Sequence, residues 1–347
     1  MKTRVTELLG IKHPIVQSGM GLVATPELVR GTCNGGGLGI LASLLASPEK
    51  LREEIRWIKE QVGGKPFAVN VVPMRPGFER FVRVIMEEKV PVWSSGLRDP
   101  FGIINMKKPE NIKYIPTVGA VRQAIKVEKE GADAVIVQGL EAGGHASLIA
   151  TTVLIPEVVE AVKIPVIAAG GFCDGKGLAA ALALGAEGIA MGTRFAVTQE
   201  SPLPLKLKEE YVKAQDKDAI NSAAWDGLAE RVIPGEKMKH YHGWVTHFWE
   251  ILPNFLNAKR DYDASFKDMW ETAMQVRQLG GSMFQYLAGM EIARRTFRTG
   301  DIRRGWTPAG QVTGRIKDIP TCQELIERTV REAEQIIKAL PGRVSLT

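Results

Sequence analysis

The segment Ala132-Asp133-Ala134-Val135-Ile136-Val137-Gln138-Gly139-Leu140-Glu141-Ala142-Gly143-Gly144-His145 runs from an apolar stretch into a glycine-rich loop. Its first six residues are mostly apolar and β-branched, which predicts a short buried strand. The loop that follows combines three glycines, which allow close backbone approach to a ligand, with a carboxylate and an imidazole. We therefore interpret His145 as a candidate proton-transfer residue. The alternative is an ordinary turn in which His145 makes only a local hydrogen bond.

Seven further apolar segments bring the number of predicted strands before residue 195 to eight. They span residues 13–17, 37–42, 66–71, 90–95, 113–118, 164–169 and 187–191. Amphipathic helical patterns lie between most of these segments. Alternating apolar strands and helices indicate a parallel sheet covered by helices. A count of eight favours the α/β fold of a closed (β/α)₈ TIM barrel over an open, doubly wound sheet.

The strand ends predict the location of a ligand, because the chemistry of such barrels lies at the C-terminal ends of their strands. Gly170-Gly171 and Gly192-Thr193 follow the seventh and eighth strands, and each pair leads into a helix-compatible segment. Backbone N–H groups at such positions bind anions, so we interpret them as a phosphate site; the alternative is two tight turns. Asn70 and Gln138 end strands that we expect to be neighbours, and paired amides suit a planar ring. Flavin mononucleotide (FMN) has both the ring and the phosphate.

The segment from about residue 200 to 310 shows a different pattern, with no clear strand and with helices predicted over 204–215 and 265–299. We interpret residues 200–305 as a helical lid or substrate domain, inserted in an FMN-binding barrel formed by residues 1–199 and 306–347. Five of the seven tryptophans fall in this region and either line an apolar substrate pocket or form the core of the lid. They are Trp225, Trp244, Trp249, Trp270 and Trp306.

Composition excludes several classes of protein. The net charge of +6 is mild for 347 residues and predicts no nucleic-acid partner. No apolar run is long enough for a membrane helix, and the N-terminus lacks the apolar core of a signal peptide. An odd number of widely spaced cysteines predicts a reducing cytoplasm: Cys33, Cys173 and Cys322. No acidic or thiolate partner lies at ligand spacing from the imidazoles of His240, His242 and His247, so we predict no metal site.

Motifs along nearly the whole chain resemble those of the nitronate monooxygenase (2-nitropropane dioxygenase) family of FMN proteins, which includes flavin-type enoyl-acyl-carrier-protein reductases. The motifs span residues 14–20, 36–39, 66–70, 141–145, 167–171 with 174–175, 191–195 and 309–311. The resemblance implies an FMN at the barrel mouth and a catalytic role for His145. It assigns cofactor binding to Gly19, Met20, Asn70, Gln138, Gly143, Gly144, Gly170, Gly171, Met191, Gly192 and Thr193.

Two positions depart from the family pattern. Gly19 stands where typical monooxygenases have a proline before Met20, and in this the motif resembles the reductase branch. Ala146-Ser147 follows His145, where the family usually has one residue and then glycine. The long helical segment and the tail at 320–326 also resemble a subgroup of flavin reductases that act on coenzyme A thioesters in steroid-ring degradation.

The resemblance implies an NADH- or NADPH-dependent flavin oxidoreductase acting on an unsaturated carbonyl or on an acyl thioester of coenzyme A or acyl carrier protein. His145 would donate or accept the proton. A nitronate monooxygenase that oxidises alkyl nitronates with O₂ is the alternative. A phosphate-binding barrel without flavin is a third alternative, and Asn70, Gln138 and the His145 motif argue against it. We expect a small-molecule or thioester substrate and no membrane partner, and an exposed apolar helix face would allow a homodimer.

Overall fold

The computed structural model describes residues 1–43, 46–73, 77–96, 110–238 and 283–342, together with Met274 and Arg277. Its larger sheet is parallel and is built from nine strand segments. These are β1 (Ile15–Gln17), β2 (Leu38–Ala42), β3 (Ala68–Asn70), β4 (Val92–Ser94), β5 (Lys113–Tyr114), β6 (Thr117–Val118), β7 (Val135–Gln138), β9 (Val166–Ala169) and β10 (Gly188–Met191).

The sheet closes on itself through the segment that contains β5 and β6. The strand order β5-β4-β3-β2-β1-β10-β9-β7-β6 puts these two pieces at opposite edges, although only Ile115 and Pro116 separate them. The N–H of Ile115 donates to the carbonyl of Trp93 (2.9 Å), and the carbonyl of Pro116 accepts from the N–H of Ile136 (2.8 Å). One extended segment therefore bonds to β4 on one side and to β7 on the other. The predicted eight-stranded barrel is confirmed.

Helices cover the barrel and close its N-terminal end. The helix Arg4–Leu9 lies at that end, where Oγ1 of Thr3 donates to the carbonyl of Glu187 (2.7 Å). Its Val5 and Leu9 pack in one apolar cluster with inward-facing strand residues such as Ile40. The other helices span Pro26–Asn34, Pro48–Val62, Phe78–Glu87, Val121–Lys129, Thr151–Ala161, Gly175–Ala183, Thr193–Ala196, Leu205–Lys213, Met283–Thr299 and Cys322–Ala339. Among the described helices, none is long and apolar enough to cross a bilayer.

The prediction of no strand between residues 200 and 310 is wrong. The structure has β11 (Ile220–Ser222), β12 (Glu230–Pro234) and β13 (Trp306–Pro308) there, and β12 also pairs with β8 (Gly144–His145). These strands have two to five residues, and charged side chains interrupt the apolar pattern in β12. The sequence therefore shows no alternation of apolar and polar residues that would predict strands here. The resulting small antiparallel sheet lies over the His145 loop.

The helical predictions for this region are confirmed where the structure describes them. Leu205–Lys213 corresponds to the predicted helix at 204–215, and Met283–Thr299 to the second half of the one at 265–299. The division into a barrel and a lid at 199/200 and 305/306 stays a prediction. Several residues singled out in the sequence lie outside the described residues: Trp244, Trp249, Trp270, His240, His242 and His247.

Candidate active site

A cavity of about 1210 Å³ opens at the C-terminal end of the barrel. Loops after the barrel strands form one wall, and the helix Met283–Thr299 together with β13 contributes another. The structure brings together all the predicted site residues except Met191 on this wall: Gly19, Met20, Asn70, Gln138, Gly143, Gly144, His145, Gly170, Gly171, Gly192 and Thr193. The volume lies above the roughly 300–1,000 Å³ that is typical of a pocket for one small molecule, so the cavity suits a large ligand such as a nucleotide.

Met191 is buried at the end of β10 and does not line the cavity. Its carbonyl accepts from the N–H of Ser18 (3.1 Å), which holds the loop after β1 against β10. A direct contact between Met191 and a cofactor stays a prediction. The structure gives this residue a supporting place behind the wall.

The loop after β1 is held by Gln17, whose side chain is fully buried. Its Oε1 accepts from the N–H of Ile40 (3.2 Å), and its Nε2 donates to the carbonyls of Ile40 (3.3 Å) and Ser18. The loop packs closely on β3, because a Cβ at Gly19 would lie 2.9 Å from the Cβ of Asn70. A proline at this position would displace Asn70. The departure from the monooxygenase motif at Gly19 therefore has a steric basis.

Asn70 and Gln138 do not end neighbouring strands, and that expectation is wrong. In the closed barrel β4 and the β5–β6 segment lie between β3 and β7 on one side, so the two amides lie apart on the cavity wall. Nδ2 of Asn70 contacts Oγ of Ser94 (3.4 Å), and Nε2 of Gln138 donates to the carbonyl of His145 (3.3 Å). Two separated amides still suit a flat ring that lies across the mouth.

The loops after β9 and β10 offer exposed glycine backbone. Gly170 and Gly171 have φ of +99° and +84°, a conformation that favours glycine. The atoms nearest to a Cβ at Gly192 would belong to the side chains of Met20 and Ser18, at 3.7–3.9 Å, so a methyl group there would make only ordinary van der Waals contacts. These are the seventh and eighth strands of the barrel, whose loops commonly bind a phosphate.

The segment Ala309-Gly310-Gln311 braces these loops. Oγ1 of Thr193 accepts from the N–H of Gly310 (2.9 Å), and the carbonyl of Glu141 accepts from the N–H of Gln311 (3.0 Å). A Cβ at Gly143 would lie 2.6 Å from the backbone of residues 309 and 310, so only glycine allows this approach. The glycine cradle, the separated amides and the space between them fit FMN.

His145 lies in β8, directly opposite Glu230 in β12. Its Nε2 is 2.9 Å from Oδ2 of Asp226, in an orientation that suits an ion pair better than a hydrogen bond. Potential proton-bearing atoms of His145, Asp226 and Glu230 all lie within 4.8 Å of one another. Three titratable groups thus meet at the wall of the cavity.

The electrostatics of this cluster favour a charged imidazole. Burial disfavours the imidazolium, but the adjacent carboxylates of Asp226 and Glu230 outweigh this effect and raise the pKa of His145. Burial and repulsion from Asp226 raise the pKa of Glu230. Sequence reasoning identified His145 but missed both acidic residues. The only signal in the sequence was acidic side chains next to apolar ones within the segment assigned to the lid.

Fold and site together define a flavin-dependent oxidoreductase built on a (β/α)₈ barrel. The family model of nitronate monooxygenase matches residues 2–78 and 72–332. The chain belongs to the nitronate monooxygenase family, which confirms the assignment made from the sequence motifs.

Relatives with different activities are similar to this chain. It is 38% identical over 346 residues to a (3aS,4S,5R,7aS)-5-hydroxy-7a-methyl-1-oxo-octahydro-1H-indene-4-carboxyl-CoA dehydrogenase of Rhodococcus jostii, covering 98% of each chain. It is 34% identical to a probable nitronate monooxygenase of Staphylococcus aureus, covering 71% of this chain and 83% of the relative.

Solved structures agree with the fold. FabK from Thermotoga maritima superposes with a TM-score of 0.80 at 34% identity, covering 99% of this chain and 100% of the other. A nitroalkane oxidase from Streptomyces ansochromogenes gives a TM-score of 0.76 at 25% identity, covering 97% and 99%.

Substitution of Gly192 tests the phosphate loop. Gly192→Val is expected to lower the flavin bound per protein, because the branched side chain enters the space beside Met20 and Ser18. Gly192→Ala is the control, since its Cβ would make only ordinary contacts. The measurement is the ratio of visible to ultraviolet absorbance of the purified proteins. A full flavin load in the valine variant, with a normal circular dichroism spectrum, would contradict this position for the phosphate.

Proposed function

We propose that the protein is an NADH- or NADPH-dependent FMN oxidoreductase that acts on an acyl thioester or another α,β-unsaturated carbonyl compound. The observation that carries this proposal is the imidazole of His145 on the wall of a cavity of about 1210 Å³. The same wall carries the glycine loops suited to a nucleotide. The name of the relative from Rhodococcus jostii, a coenzyme A thioester dehydrogenase, supports the substrate class.

The upper wall of the cavity suits an apolar acyl group. Side chains at spacings of three and four residues on the helix Met283–Thr299 face it, and Trp306 of β13 adjoins them. The helix contributes Tyr286, Met290, Ala293 and Phe297. These side chains bind the substrate by contact area and exclude water from the reaction.

FMN supplies the hydride chemistry when it is bound. Reduction of a conjugated double bond adds a hydride to one carbon and a proton to the next. His145 holds that proton on its imidazolium, gives it to the carbon next to the carbonyl, and regains one from water through the open cavity. In the reverse direction the neutral imidazole accepts the proton. Asn70 and Gln138 orient the ring, and Gly171, Gly192 and Thr193 bind the phosphate.

The rim of the cavity carries cations that suit the phosphates of a carrier such as coenzyme A. Arg122 and Lys126 line it from the helix Val121–Lys129, and no carboxylate of the described chain pairs with Arg122. Oγ of Ser147 donates to the carbonyl of Gly119 (2.7 Å), which ties the His145 loop to the start of this helix. Leu148 is 78% exposed on the same rim and offers an apolar contact beside the charges.

An anaerobic titration tests the reductant. Purified protein mixed with NADH, and separately with NADPH, is expected to lose its visible flavin band within seconds with at least one of them. An enone or acyl-CoA substrate is then expected to restore the band. Bleaching by an alkyl nitronate, without any reaction with nicotinamide, would instead establish nitronate oxidation and overturn the proposal.

Removal of the imidazole tests the proton transfer. His145→Ala is expected to keep its flavin and its reduction by nicotinamide, but to lose about 10²- to 10⁴-fold in turnover with the carbonyl substrate. Flavin reduction serves as the internal control, because that half-reaction needs no proton from His145. Unchanged turnover in this variant would remove His145 from the mechanism.

The rim is tested by substrates with and without carrier phosphates. Arg122→Ala is expected to raise KM for a coenzyme A thioester about threefold or more, on the scale of an exposed ion pair. KM for the matching N-acetylcysteamine thioester, which has no phosphate, should not change. Lys129→Ala on the same helix is the matched control, since Lys129 does not line the cavity. An equal effect on both thioesters would exclude phosphate binding by Arg122.

A further inference from the structure

The turn between β11 and β12 carries Asp226 to the active-site histidine. The pairing of β8 with β12 positions His145 and Glu230 side by side, and the turn that leads into β12 at Glu230 carries Asp226 to them. The side chain of His145 is 32% exposed and that of Asp226 only 5% exposed. The imidazole is thus open to the cavity while its carboxylate partner is largely shielded from water.

Interactions within the turn orient the Asp226 carboxylate. Its Oδ1 accepts from the N–H of Leu228 (3.0 Å), which leaves Oδ2 for the 2.9 Å contact with Nε2 of His145. The neighbouring Trp225 packs on Trp306, with ring centroids 5.6 Å apart. One carboxylate oxygen therefore holds the turn and the other faces the imidazole.

The helix Met283–Thr299 clamps the same turn from outside. Nε2 of Gln285 donates to the carbonyls of Ala223 (3.0 Å) and Ala224 (3.1 Å). One helical turn further on, a Cβ at Gly289 would lie 2.7 Å from both the Cβ of Asp226 and the carbonyl oxygen of Trp225. Only a glycine allows the helix to approach this closely. The helix that forms the upper wall of the substrate cavity also sets the position of Asp226.

We propose that Asp226 is a positioning residue that holds His145 in its protonated, proton-donating form, and that Gly289 and Gln285 fix Asp226 for this task. The role of His145 as proton donor rests on the proposed function. The effect of Asp226 on the ionisation of His145 does not, since that ionisation can be measured without turnover. It identifies the sequence-distant partner that favours the proton-donating form of the histidine.

The charges around the cluster support one negative carboxylate beside one imidazolium. Glu230 is 8% exposed, and no hydrogen bond to its carboxyl group is present among the described residues. Two buried carboxylates this close disfavour double ionisation, and burial together with repulsion from Asp226 raises the pKa of Glu230 to about 8. Arg231 does not neutralise them, because its guanidinium donates to the carbonyls of Ala219 (2.9 Å) and Leu140 (3.3 Å). Among the described residues, the other titratable side chains that line the cavity are the phenols of Tyr211 and Tyr286 and the cations of Arg122 and Lys126.

The direction of the expected effect follows from these charges. With Asp226 ionised, the pKa of His145 is raised above its ordinary value, so the imidazolium persists to higher pH than that of an unperturbed histidine. Without that charge, burial dominates and the pKa falls below the ordinary value. An opposite charge at this distance shifts a pKa by about 1–3 units.

The test is an NMR titration of the imidazoles in the flavin-loaded protein and in Asp226→Asn. The chain has only five histidines, and His145→Gln assigns the signal. Asparagine keeps the Oδ1 acceptor for Leu228, so the turn is retained while the charge is lost. We expect the pKa of His145 to fall by about one unit or more. Glu230→Gln is the matched control and should lower it less, because Glu230 is already neutral.

Turnover supplies the second readout. In the native protein the rate of proton donation should fall as the pH rises through the raised pKa of His145, and in Asp226→Asn that fall should begin at lower pH. An unchanged His145 pKa in Asp226→Asn would overturn the inference whatever the substrate proves to be. A lowered pKa in a protein that reduces no carbonyl compound would support the inference and contradict the proposed function.

Gly289→Ala tests the position of Asp226 separately from its charge. This variant also replaces Asp226→Asn in the test if Asp226→Asn does not fold. The added methyl group must push the turn away from the helix, so the contact between Asp226 and His145 should lengthen and the pKa of His145 should fall with Asp226 still present. A His145 pKa equal to that of the native protein in this folded variant would show that the helix does not set the position of Asp226.

Discussion

The pairing of Gly144–His145 with Glu230–Arg231 joins the barrel to the segment that covers its mouth, and the active site depends on it. Without this two-residue pairing, His145 would lie on a glycine-rich loop with no fixed orientation. With it, the imidazole is placed opposite Glu230 and 2.9 Å from Asp226, two groups that the barrel itself does not supply. A side chain on such a loop gains a defined ionisation state only when a second structural element faces it.

Glycines allow this arrangement at several close approaches. Gly143 admits the backbone of residues 309 and 310, and Gly289 admits the turn that carries Asp226. Gly19 allows the loop after β1 to rest on Asn70. In each case a Cβ would meet other atoms at less than 3.0 Å, so the glycine serves packing rather than chain flexibility. The cofactor cradle and the proton-transfer group are thus assembled from segments whose backbones nearly touch.

The barrel was predictable from the sequence because local hydrophobic patterns identify its strands and helices. Eight apolar, β-branched runs separated by amphipathic helices can form few other structures. It also predicted the glycine loops and His145, which are local motifs. Asp226 and Glu230 were missed because their role arises only when residues distant along the chain pair, and β11 and β12 are too short to show a period. The expectation that Asn70 and Gln138 are neighbours failed for the same reason, since strand order is not a local property.

The relatives of this chain carry the names of different oxidoreductases, a coenzyme A thioester dehydrogenase and a probable nitronate monooxygenase. Removing a proton from a nitroalkane requires a neutral imidazole, whereas completing the reduction of a conjugated double bond requires an imidazolium. Whether a histidine is a neutral imidazole or an imidazolium depends on the charged groups next to its ring. The carboxylate of Asp226, 2.9 Å from Nε2 of His145, favours the imidazolium, and the carboxyl group of Glu230 acts in the same direction to the extent that it is ionised. In this chain the charge beside His145 therefore favours the imidazolium, which is the form that the proposed reduction requires.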